Sequence, residues 1–253
     1  MRLLLSNDDG ILARGLAALE QAAERLGEVY VVAPDREQSA TSHSLTMHHP
    51  LRPVQIGDRR WQVDGTPTDC VMLALEALLP EKPDYVLSGV NHGPNMGEDV
   101  LYSGTVAAAM EGLALGVPAI AFSFAGRVLR SDALLDEHVD TIERILRHLA
   151  GLPAFPENTL FNVNIPAVAA SEVQGYRLTR LGRRAYSDSL TKMQDPWGRP
   201  IYWIGGGSVS WKDSSQDSDF QAINDGFVSI TPLHLDLTHR DILDRAEQWW
   251  RPL

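Results

Sequence analysis

Two adjacent acids, Asp8 and Asp9, follow the apolar run Leu3-Leu4-Leu5 and precede Gly10. The apolar run is typical of a buried strand, and the helical spacing of apolar residues after Gly10 indicates a strand–turn–helix unit. In such a unit the turn lies at the carboxyl edge of a parallel sheet, where open α/β sheets bind ligands. Neighbouring carboxylates repel each other and are costly to desolvate, so a bound cation is the simplest partner for them. Taken alone, the stretch is equally compatible with a solvated turn that caps a helix.

Two further polar loops are predicted to meet the first one at this edge of the sheet. Residues 35–46 follow the second predicted strand and are rich in hydroxyls, among which Ser39 is well placed. Residues 89–97 follow a later strand and contain glycines together with Asn91 and Asn95. Carboxylate, hydroxyl and amide oxygens are ligands for Mg²⁺, Mn²⁺ or Ca²⁺ and not for zinc, which prefers nitrogen and sulfur. Three such loops at one edge therefore favour a divalent-metal site over a simple turn.

The stretch Ser103-Gly104-Thr105 begins a predicted helix. A helix start presents backbone N–H groups and a positive dipole end, which together bind phosphate. Ordinary N-capping by Ser103 is the commoner explanation when the stretch is considered alone. Beside an oxygen-liganded metal, however, an anion site is favoured, and a metal next to a phosphate site indicates phosphoryl chemistry.

Several other kinds of site are excluded by spacing. The chain lacks the G-x-x-x-x-G-K-[ST] phosphate loop, the G-x-S-x-G elbow and the His-Glu-x-x-His zinc motif, and its first strand turn lacks G-x-G-x-x-G. His43 and His92 lie in the candidate loops and are possible general acids. A lone loop histidine is more often a surface or hydrogen-bonding residue, so both stay minor hypotheses.

Strands and helices alternate clearly through about residue 166, which predicts an α/β fold with a parallel, doubly wound sheet. One amphipathic helix is predicted from Ser131 through Leu149. Beyond residue 166, we expect strands at 176–181 and 201–204 to form a hairpin or arm with a turn between them. A mobile loop is predicted at 205–218, followed by a strand and a C-terminal helix.

The composition is that of an ordinary globular protein, with 253 residues, 44% hydrophobic and 22% charged. This length suits one large domain with an extension. A formal net charge of −11 argues against binding to nucleic acids or anionic membranes. The single cysteine, Cys70, fits a reducing compartment, and no apolar run is long enough to span a membrane. We therefore expect a cytoplasmic protein.

Six motifs, in order along nearly the whole chain, together resemble the SurE family of survival proteins and 5′/3′-nucleotidases. They are Ser6-Asn7-Asp8-Asp9-Gly10, Ala33-Pro34-Asp35-Arg36 with Ser39 and Ser44-Leu45-Thr46, Gly65-Thr66-Pro67-Thr68-Asp69-Cys70-Val71, Ser88-Gly89-Val90-Asn91 with Gly93-Pro94-Asn95, Tyr102-Ser103-Gly104-Thr105 with Val106 to Gly112, and Val228-Ser229-Ile230-Thr231-Pro232-Leu233.

The resemblance implies a Rossmann-like three-layer sandwich that forms a single domain over 1–253. Its core covers about 1–166, and a β-arm and helix extension over about 167–253 mediates homodimers or homotetramers. The implied activity is metal-dependent hydrolysis of nucleoside 5′-monophosphates, extending to 3′-monophosphates and short polyphosphate, with a role in stationary-phase survival. One Mg²⁺ or Mn²⁺ per subunit is implied, with Ca²⁺ as a possible occupant.

The resemblance also assigns residues to roles. The implied metal ligands are Asp8, Asp9, Ser39 and Asn91. The implied phosphate-binding residues are Asn95, Ser103, Gly104 and Thr105. The catalytic residues expected from both groups are Asp8, Asp9, Asn95 and Ser103.

The position of Gly10 bears on the mechanism. Phosphatases that use an aspartate nucleophile need a second acid two positions after the first, and here that position is Gly10. We therefore expect a water molecule to attack phosphorus, with Asp8 orienting or deprotonating it. A nucleotide- or metal-binding regulator without turnover is an alternative function. A structural scaffold fits poorly with so many polar glycine loops at one sheet edge.

Overall fold

A nine-stranded sheet lies at the centre of the computed structural model, which describes residues 1–126, 131–185, 190–204, 210–211 and 215–250. The strands among these residues are β1 (Arg2–Ser6), β2 (Glu28–Pro34), β3 (Pro53–Gly57), β4 (Arg60–Val63), β5 (Tyr85–His92), β6 (Ala119–Ala125), β7 (Leu160–Pro166), β8 (Gly175–Leu178), β9 (Arg184–Ala185), β10 (Leu190–Gln194), β11 (Pro200–Ile204), β12 (Ser210–Trp211) and β13 (Phe227–Leu233). The sheet order is β3-β4-β2-β1-β5-β6-β7-β13-β8. Only the β3–β4 and β7–β13 pairs in it are antiparallel, so the sheet is mostly parallel, as predicted.

Helices cover both faces of this sheet and complete the three layers. They are α1 (Arg14–Glu24), α2 (Pro67–Leu73), α3 (Gly104–Ala114), α4 (Ser131–Glu137), α5 (Val139–Ala150), α6 (Asp219–Asn224) and α7 (Arg240–Trp250). One apolar core joins α1, α4 and α5 to the face that carries Leu3 and Leu5. A second core joins α2 and α3 to the opposite face, which carries Leu4. The alternation of Leu3, Leu4 and Leu5 between two buried faces explains why β1 is apolar throughout. No described helix is long and apolar enough to cross a membrane.

The sheet order places the three predicted loops side by side. β1 lies between β2 and β5, and all three run parallel, with Leu5 in register with Val31 and Ser6 with Ser88. The chain therefore leaves all three strands at the same edge, and the residues that follow them are brought together as expected.

The start of α2 is capped as its sequence predicts. Thr66 accepts a hydrogen bond from the Asp69 N–H, and Asp69 accepts one from the Thr66 N–H at 2.8 Å. The buried Asp69 carboxylate also accepts from the N–H of Thr46 at 2.9 Å and from its hydroxyl at 2.6 Å. One side chain thus fixes both a helix start and the end of the loop that carries Ser39.

We expect Asp69→Ala to lower the free energy of unfolding by about 2–4 kcal/mol, because it removes the buried acceptor of three hydrogen bonds from the half-buried Thr46 and Thr66. Urea denaturation followed by circular dichroism measures this loss. Asp58→Ala is the control, since the Asp58 side chain is 86% exposed, and we expect a change below about 0.5 kcal/mol there. Equal stability of the two variants would contradict the anchoring role of Asp69.

One predicted helix is in fact two. The expected single helix from Ser131 to Leu149 is broken at His138, between α4 and α5. The His138 ring is buried against Phe124, with centroids 5.3 Å apart, and its Nε2 lies 2.9 Å from the Val168 carbonyl oxygen. This contact with a distant residue was invisible to the apolar periodicity, which continues across the break.

The C-terminal part of the sequence also differs from expectation. The hairpin exists, but its strands are β10 and β11. The strand expected at 176–181 is instead β8, which pairs with β13 at the edge of the main sheet. The predicted loop at 205–218 falls largely outside the described residues.

Candidate metal and phosphate site

Backbone contacts join the three loops around Asp8 and Asp9. The Gln38 N–H donates to the Asp8 carbonyl oxygen at 2.7 Å, and the His92 N–H donates to the Asp9 carboxylate at 3.1 Å. Gly10 has a φ of +98°, and a Cβ there would lie 3.2 Å from the carbonyl carbon of Arg36. Only glycine suits this close approach with positive φ. The acid pair is therefore held between the loops that follow β2 and β5.

The Asp8 side chain is buried against the start of α3. Thr105 donates its hydroxyl hydrogen bond to Asp8 Oδ1. A Cβ on Gly104 would lie 2.7 Å from the Asp8 Cβ, so glycine is needed there for close packing. Burial raises the pKa of Asp8 from 3.8 to about 6, against the opposing Thr105 hydrogen bond, and the charge of Asp9 adds to the rise. In the protein alone, the Asp8 carboxylate lacks full compensation for its lost hydration.

Asp9 shares this electrostatic situation. Burial raises the pKa of Asp9, the hydrogen bond from His92 opposes the rise, and the nearby charge of Glu37 adds to it. Two partly desolvated acids beside a third acid form a region of negative potential. Such a region favours a cation.

The other two predicted ligands flank the acid pair. Ser39 lies in the loop that follows β2, whereas Asn91 lies near the end of β5, because that strand continues to His92 into the stretch predicted as a loop at 89–97. Ser39 is exposed and donates its hydroxyl to the Glu37 carboxylate at 2.6 Å. The Asn91 side chain donates from Nδ2 to the Gly93 carbonyl oxygen at 2.9 Å. Its side-chain oxygen, Oδ1, accepts no hydrogen bond from the described residues. Both side chains retain oxygen lone pairs that are available to a cation.

This donor set suits a hard divalent cation. The described residues contain no cluster of three or more His, Cys, Asp or Glu side chains that could hold a metal ion. Two carboxylates with neutral hydroxyl and amide oxygens match the preference of Mg²⁺ and Mn²⁺, which retain several water ligands in such sites. The pKa values of Asp8 and Asp9 are raised in the metal-free protein. This is expected of carboxylates whose charge is normally balanced by a bound cation.

Asn95 is buried beside β6 and β7, and both its backbone and its side chain form hydrogen bonds with these strands. Its backbone N–H donates to Asn164 Oδ1 at 2.9 Å, and its carbonyl oxygen accepts from Asn162 at 2.8 Å and from Asn164 at 3.0 Å. Its own Nδ2 donates to Ser123 Oγ at 2.8 Å. These hydrogen bonds to Asn95 were not predicted from the sequence. The two asparagines on one face of the strand Leu160-Phe161-Asn162-Val163-Asn164 could have indicated them, since buried polar side chains need hydrogen-bond partners.

Ser103 caps α3, because its hydroxyl oxygen accepts the Val106 N–H at 3.1 Å. The hydroxyls of Ser103 and Thr105 are thus engaged in the cap and with Asp8, which leaves the backbone N–H groups of the first turn as the anion donors. All three residues of the stretch are buried, and Gly104 and Thr105 lie directly against Asp8. The predicted metal and phosphate elements are therefore in contact.

The two candidate histidines both make contacts near the acid pair. His43 Nε2 lies 2.8 Å from Glu111 Oε2, which ties the loop carrying Ser39 to α3. The His92 backbone N–H donates to the Asp9 carboxylate, and the charge of the His92 ring also opposes the rise in the pKa of Asp9. A role for either ring as a general acid stays a prediction. The contact with Glu111 was not foreseen from the sequence.

Comparison with known proteins agrees with this geometry. A family model described as survival protein SurE matches residues 3–188. A relative named 5′-nucleotidase SurE, from Gemmatimonas aurantiaca, is 73% identical over 251 residues, which cover 99% of each chain. Another of that name, from Vibrio cholerae, is 48% identical and covers 98% of this chain and 97% of its own. The crystal structure of SurE protein from Aquifex aeolicus matches at a TM-score of 0.86 with 42% identity, covering 98% of this chain and 99% of that one. The chain therefore belongs to the SurE family.

Proposed function

We propose that this chain is a metal-dependent 5′-nucleotidase that hydrolyses nucleoside 5′-monophosphates to nucleoside and phosphate. The observation that carries the proposal is the contact of Asp8 with Gly104 and Thr105, which sets a carboxylate pair against a helix start. The name of the relatives, 5′-nucleotidase SurE, supports the same activity. Hydrolysis of 3′-monophosphates and polyphosphate, the survival role and the cytoplasmic location stay predictions from the family resemblance.

The proposed metal ligands are Asp8, Asp9, Ser39 and Asn91, with Mg²⁺ or Mn²⁺ as the ion. When bound, the ion supplies positive charge against the phosphate oxygens and lowers the pKa of water. Asp9 and Glu37 also repel a free phosphate dianion, so substrate entry depends on that neutralisation.

The proposed phosphate-binding groups are Asn95 and the backbone N–H groups at Ser103, Gly104 and Thr105. In this proposal the donors meet the phosphate oxygens, where negative charge grows in the transition state, and donors in fixed positions remove the cost of reorganisation during the reaction. The bonds from Asn162 and Asn164 give Asn95 the rigidity that this role needs.

Asp8 is proposed to accept the proton of the attacking water. Thr105 occupies its Oδ1, which leaves Oδ2 for the water. In the metal-free protein burial raises the pKa of Asp8 to about 6, and a bound cation would lower it, which keeps the carboxylate ionised as a general base requires. Gly10 supplies no second acid to assist a phosphoaspartate, so direct attack by Asp8 is disfavoured.

A phosphate-release panel tests the proposal. Purified protein is incubated with 5′- and 3′-monophosphates of each nucleoside and with tripolyphosphate, with Mg²⁺, Mn²⁺ or EDTA. We expect turnover of 5′-monophosphates that EDTA lowers at least about 10³-fold, since metal charge contributes several kcal/mol to the transition state. Restoration by added Mn²⁺ is the control for irreversible damage. Binding of nucleotides without turnover under every condition would instead favour a nucleotide-binding regulator.

The proposed partner, besides the nucleotide, is a second copy of the chain. Apolar side chains of the hairpin and the α7 region are exposed in the single subunit, including Met193 (51%), Trp197 (77%), Tyr202 (58%), Trp203 (65%), Leu237 (88%) and Leu243 (58%). Exposed apolar surface of this kind marks an interaction site. A homodimer or homotetramer formed through the extension covers it.

A further inference from the structure

A buried carboxylate from the C-terminal part of the chain reaches the loop that carries Asn95. Asp219, the first residue of α6, is fully buried. Its Oδ2 accepts a hydrogen bond from the Gly97 N–H at 2.8 Å. Its Oδ1 accepts from the N–H of Gly182 at 2.9 Å and of Phe220 at 2.8 Å. One side chain therefore joins three segments that are distant in sequence or direction.

The charge of Asp219 is balanced by backbone N–H groups. Within the described part of the chain no ion pair involves this carboxylate, and burial raises its pKa while the hydrogen bonds from Gly97, Gly182 and Phe220 oppose the rise. An ionised carboxylate can accept from donors on both oxygens, whereas an amide presents a donor on one side. Burying a charge in this way is costly, and the three bonds are what make the position tolerable.

Gly97 lies between the two parts of the phosphate pocket. It follows Asn95 by two residues and opens the 3-10 turn Gly97–Leu101, which leads directly to Ser103 at the start of α3. A shift of Gly97 therefore moves Asn95 on one side and the helix start on the other. The hydrogen bonds with β6 and β7 fix Asn95 itself, but they do not involve the turn Gly97–Leu101.

A second set of contacts joins the segment 182–184 to the turn Gly97–Leu101. The Arg184 N–H donates to Glu98 Oε2 at 2.7 Å, and the Arg184 guanidinium pairs with Asp99. Gly182 is packed so closely that a Cβ there would lie 2.3 Å from the Phe220 ring. The segment 182–184 thus contacts the turn at two points, directly before the chain continues toward the hairpin.

We propose that Asp219 is a positioning residue for the phosphate pocket, which holds the Gly97–Leu101 turn from the C-terminal extension with help from the contact between Arg184 and Glu98. This inference rests on the proposed function. It adds a residue that lies beyond the stretch 3–188 matched by the family model. It also means that the extension supports the active site as well as offering surface to a second copy.

The test uses the full chain with the substitution Asp219→Asn, which keeps the size of the side chain and removes one acceptor. We expect the inhibition constant of inorganic phosphate and the KM for adenosine 5′-monophosphate to rise about tenfold, as loss of a charge-assisted hydrogen bond predicts. The Mn²⁺ concentration that gives half-maximal activity should stay unchanged, because Asp8 and Asp9 keep their own supports. A purely structural role would lower Tm without raising the phosphate inhibition constant relative to the half-maximal Mn²⁺ concentration.

Thr179→Val is the matched control, since Thr179 is buried in the same extension and the substitution removes a hydroxyl that bonds the hydroxyls of Ser229 and Thr231. We expect a lower Tm and an unchanged phosphate inhibition constant. An unchanged constant in folded Asp219→Asn would overturn the proposal.

A milder variant decides the matter if Asp219→Asn does not fold. Glu98→Ala removes the acceptor of the Arg184 N–H from a half-buried position and leaves the pair between Arg184 and Asp99 in place. We expect a rise of about threefold in the phosphate inhibition constant. No rise would overturn the proposal. If the wild type releases no phosphate at all, the proposed function fails instead, and faster amide exchange over 95–105 in Asp219→Asn than in Thr179→Val still tests the positioning role.

Discussion

Asp8→Asn should lower metal-dependent phosphate release from adenosine 5′-monophosphate at least about 10³-fold, because the charge that holds the cation and accepts a proton is lost. The fold should survive, since an asparagine Oδ1 can still accept the Thr105 hydroxyl in the same space. Steady-state phosphate assays with circular dichroism of the same samples measure both outcomes.

Asp84→Asn is the matched control for this change. Asp84 lies at the opposite end of β5 and accepts the Arg2 N–H at 2.7 Å, so it meets neither the loops nor α3. We expect its activity to equal that of the wild type. Near-normal activity in Asp8→Asn would remove the basis of the metal site.

The metal-free stability of the same variant gives an independent readout. Asp8 has a folded pKa of about 6, above its unfolded value of 3.8. An acid with a raised folded pKa costs no stability below the unfolded pKa, and the cost grows as pH rises through this window until it is complete above about 6. In EDTA above pH 7, we expect Asp8→Asn to be more stable than the wild type by at most about 3 kcal/mol, and the difference to vanish near pH 3. Added Mn²⁺ should raise the Tm of the wild type far more than that of the variant.

The sequence alone was sufficient for the architecture and for the convergence of the loops. Alternating apolar runs and helical patterns predict a parallel sheet, and the sheet fixes which turns share an edge. Asp8 and Ser103 needed only this information, because Asp8 lies in the turn after β1 and Ser103 caps the start of α3, whereas Asn91 was expected in a loop and lies within β5. Their roles came from the family resemblance and from the oxygen chemistry of their side chains.

Contacts between segments that are distant in sequence could not be predicted from the sequence alone. The break at His138 depends on the Val168 carbonyl, and the support of Gly97 depends on Asp219. Neither changes the local spacing of apolar residues, which is the signal that sequence periodicity uses. Polar residues at buried positions, such as Asn162 and Asn164, show that a partner exists but do not identify it.

The close packing of α3 against the acid pair makes Gly104 the most sensitive small residue of the site. We expect Gly104→Ala to lower kcat/KM about 10²-fold, as a displacement of a fraction of an ångström to 1 Å at reacting groups does. The new Cβ would lie 2.7 Å from the Asp8 Cβ and 3.1 Å from its Oδ2. The nearer atom, the Asp8 Cβ, is attached directly to the backbone and cannot rotate away, so the Asp8 backbone or the helix start must shift. Assays at saturating Mn²⁺ separate this displacement from weaker metal binding.

Gly112→Ala on the same helix provides a control with a matched clash. Its Cβ would lie 2.7 Å from the Cβ of the buried Val86, so the steric cost resembles that at Gly104 while Asp8 is left alone. Helix propensity offsets part of the clash in Gly112→Ala, by about 1 kcal/mol in the helix interior, and offsets less in Gly104→Ala, because Gly104 is the first residue of α3. We expect a lower Tm in both variants and a loss of activity only in Gly104→Ala. Equal losses of activity in both variants would mean that α3 acts as a rigid whole, and that contact between its first turn and Asp8 has no special part in the reaction.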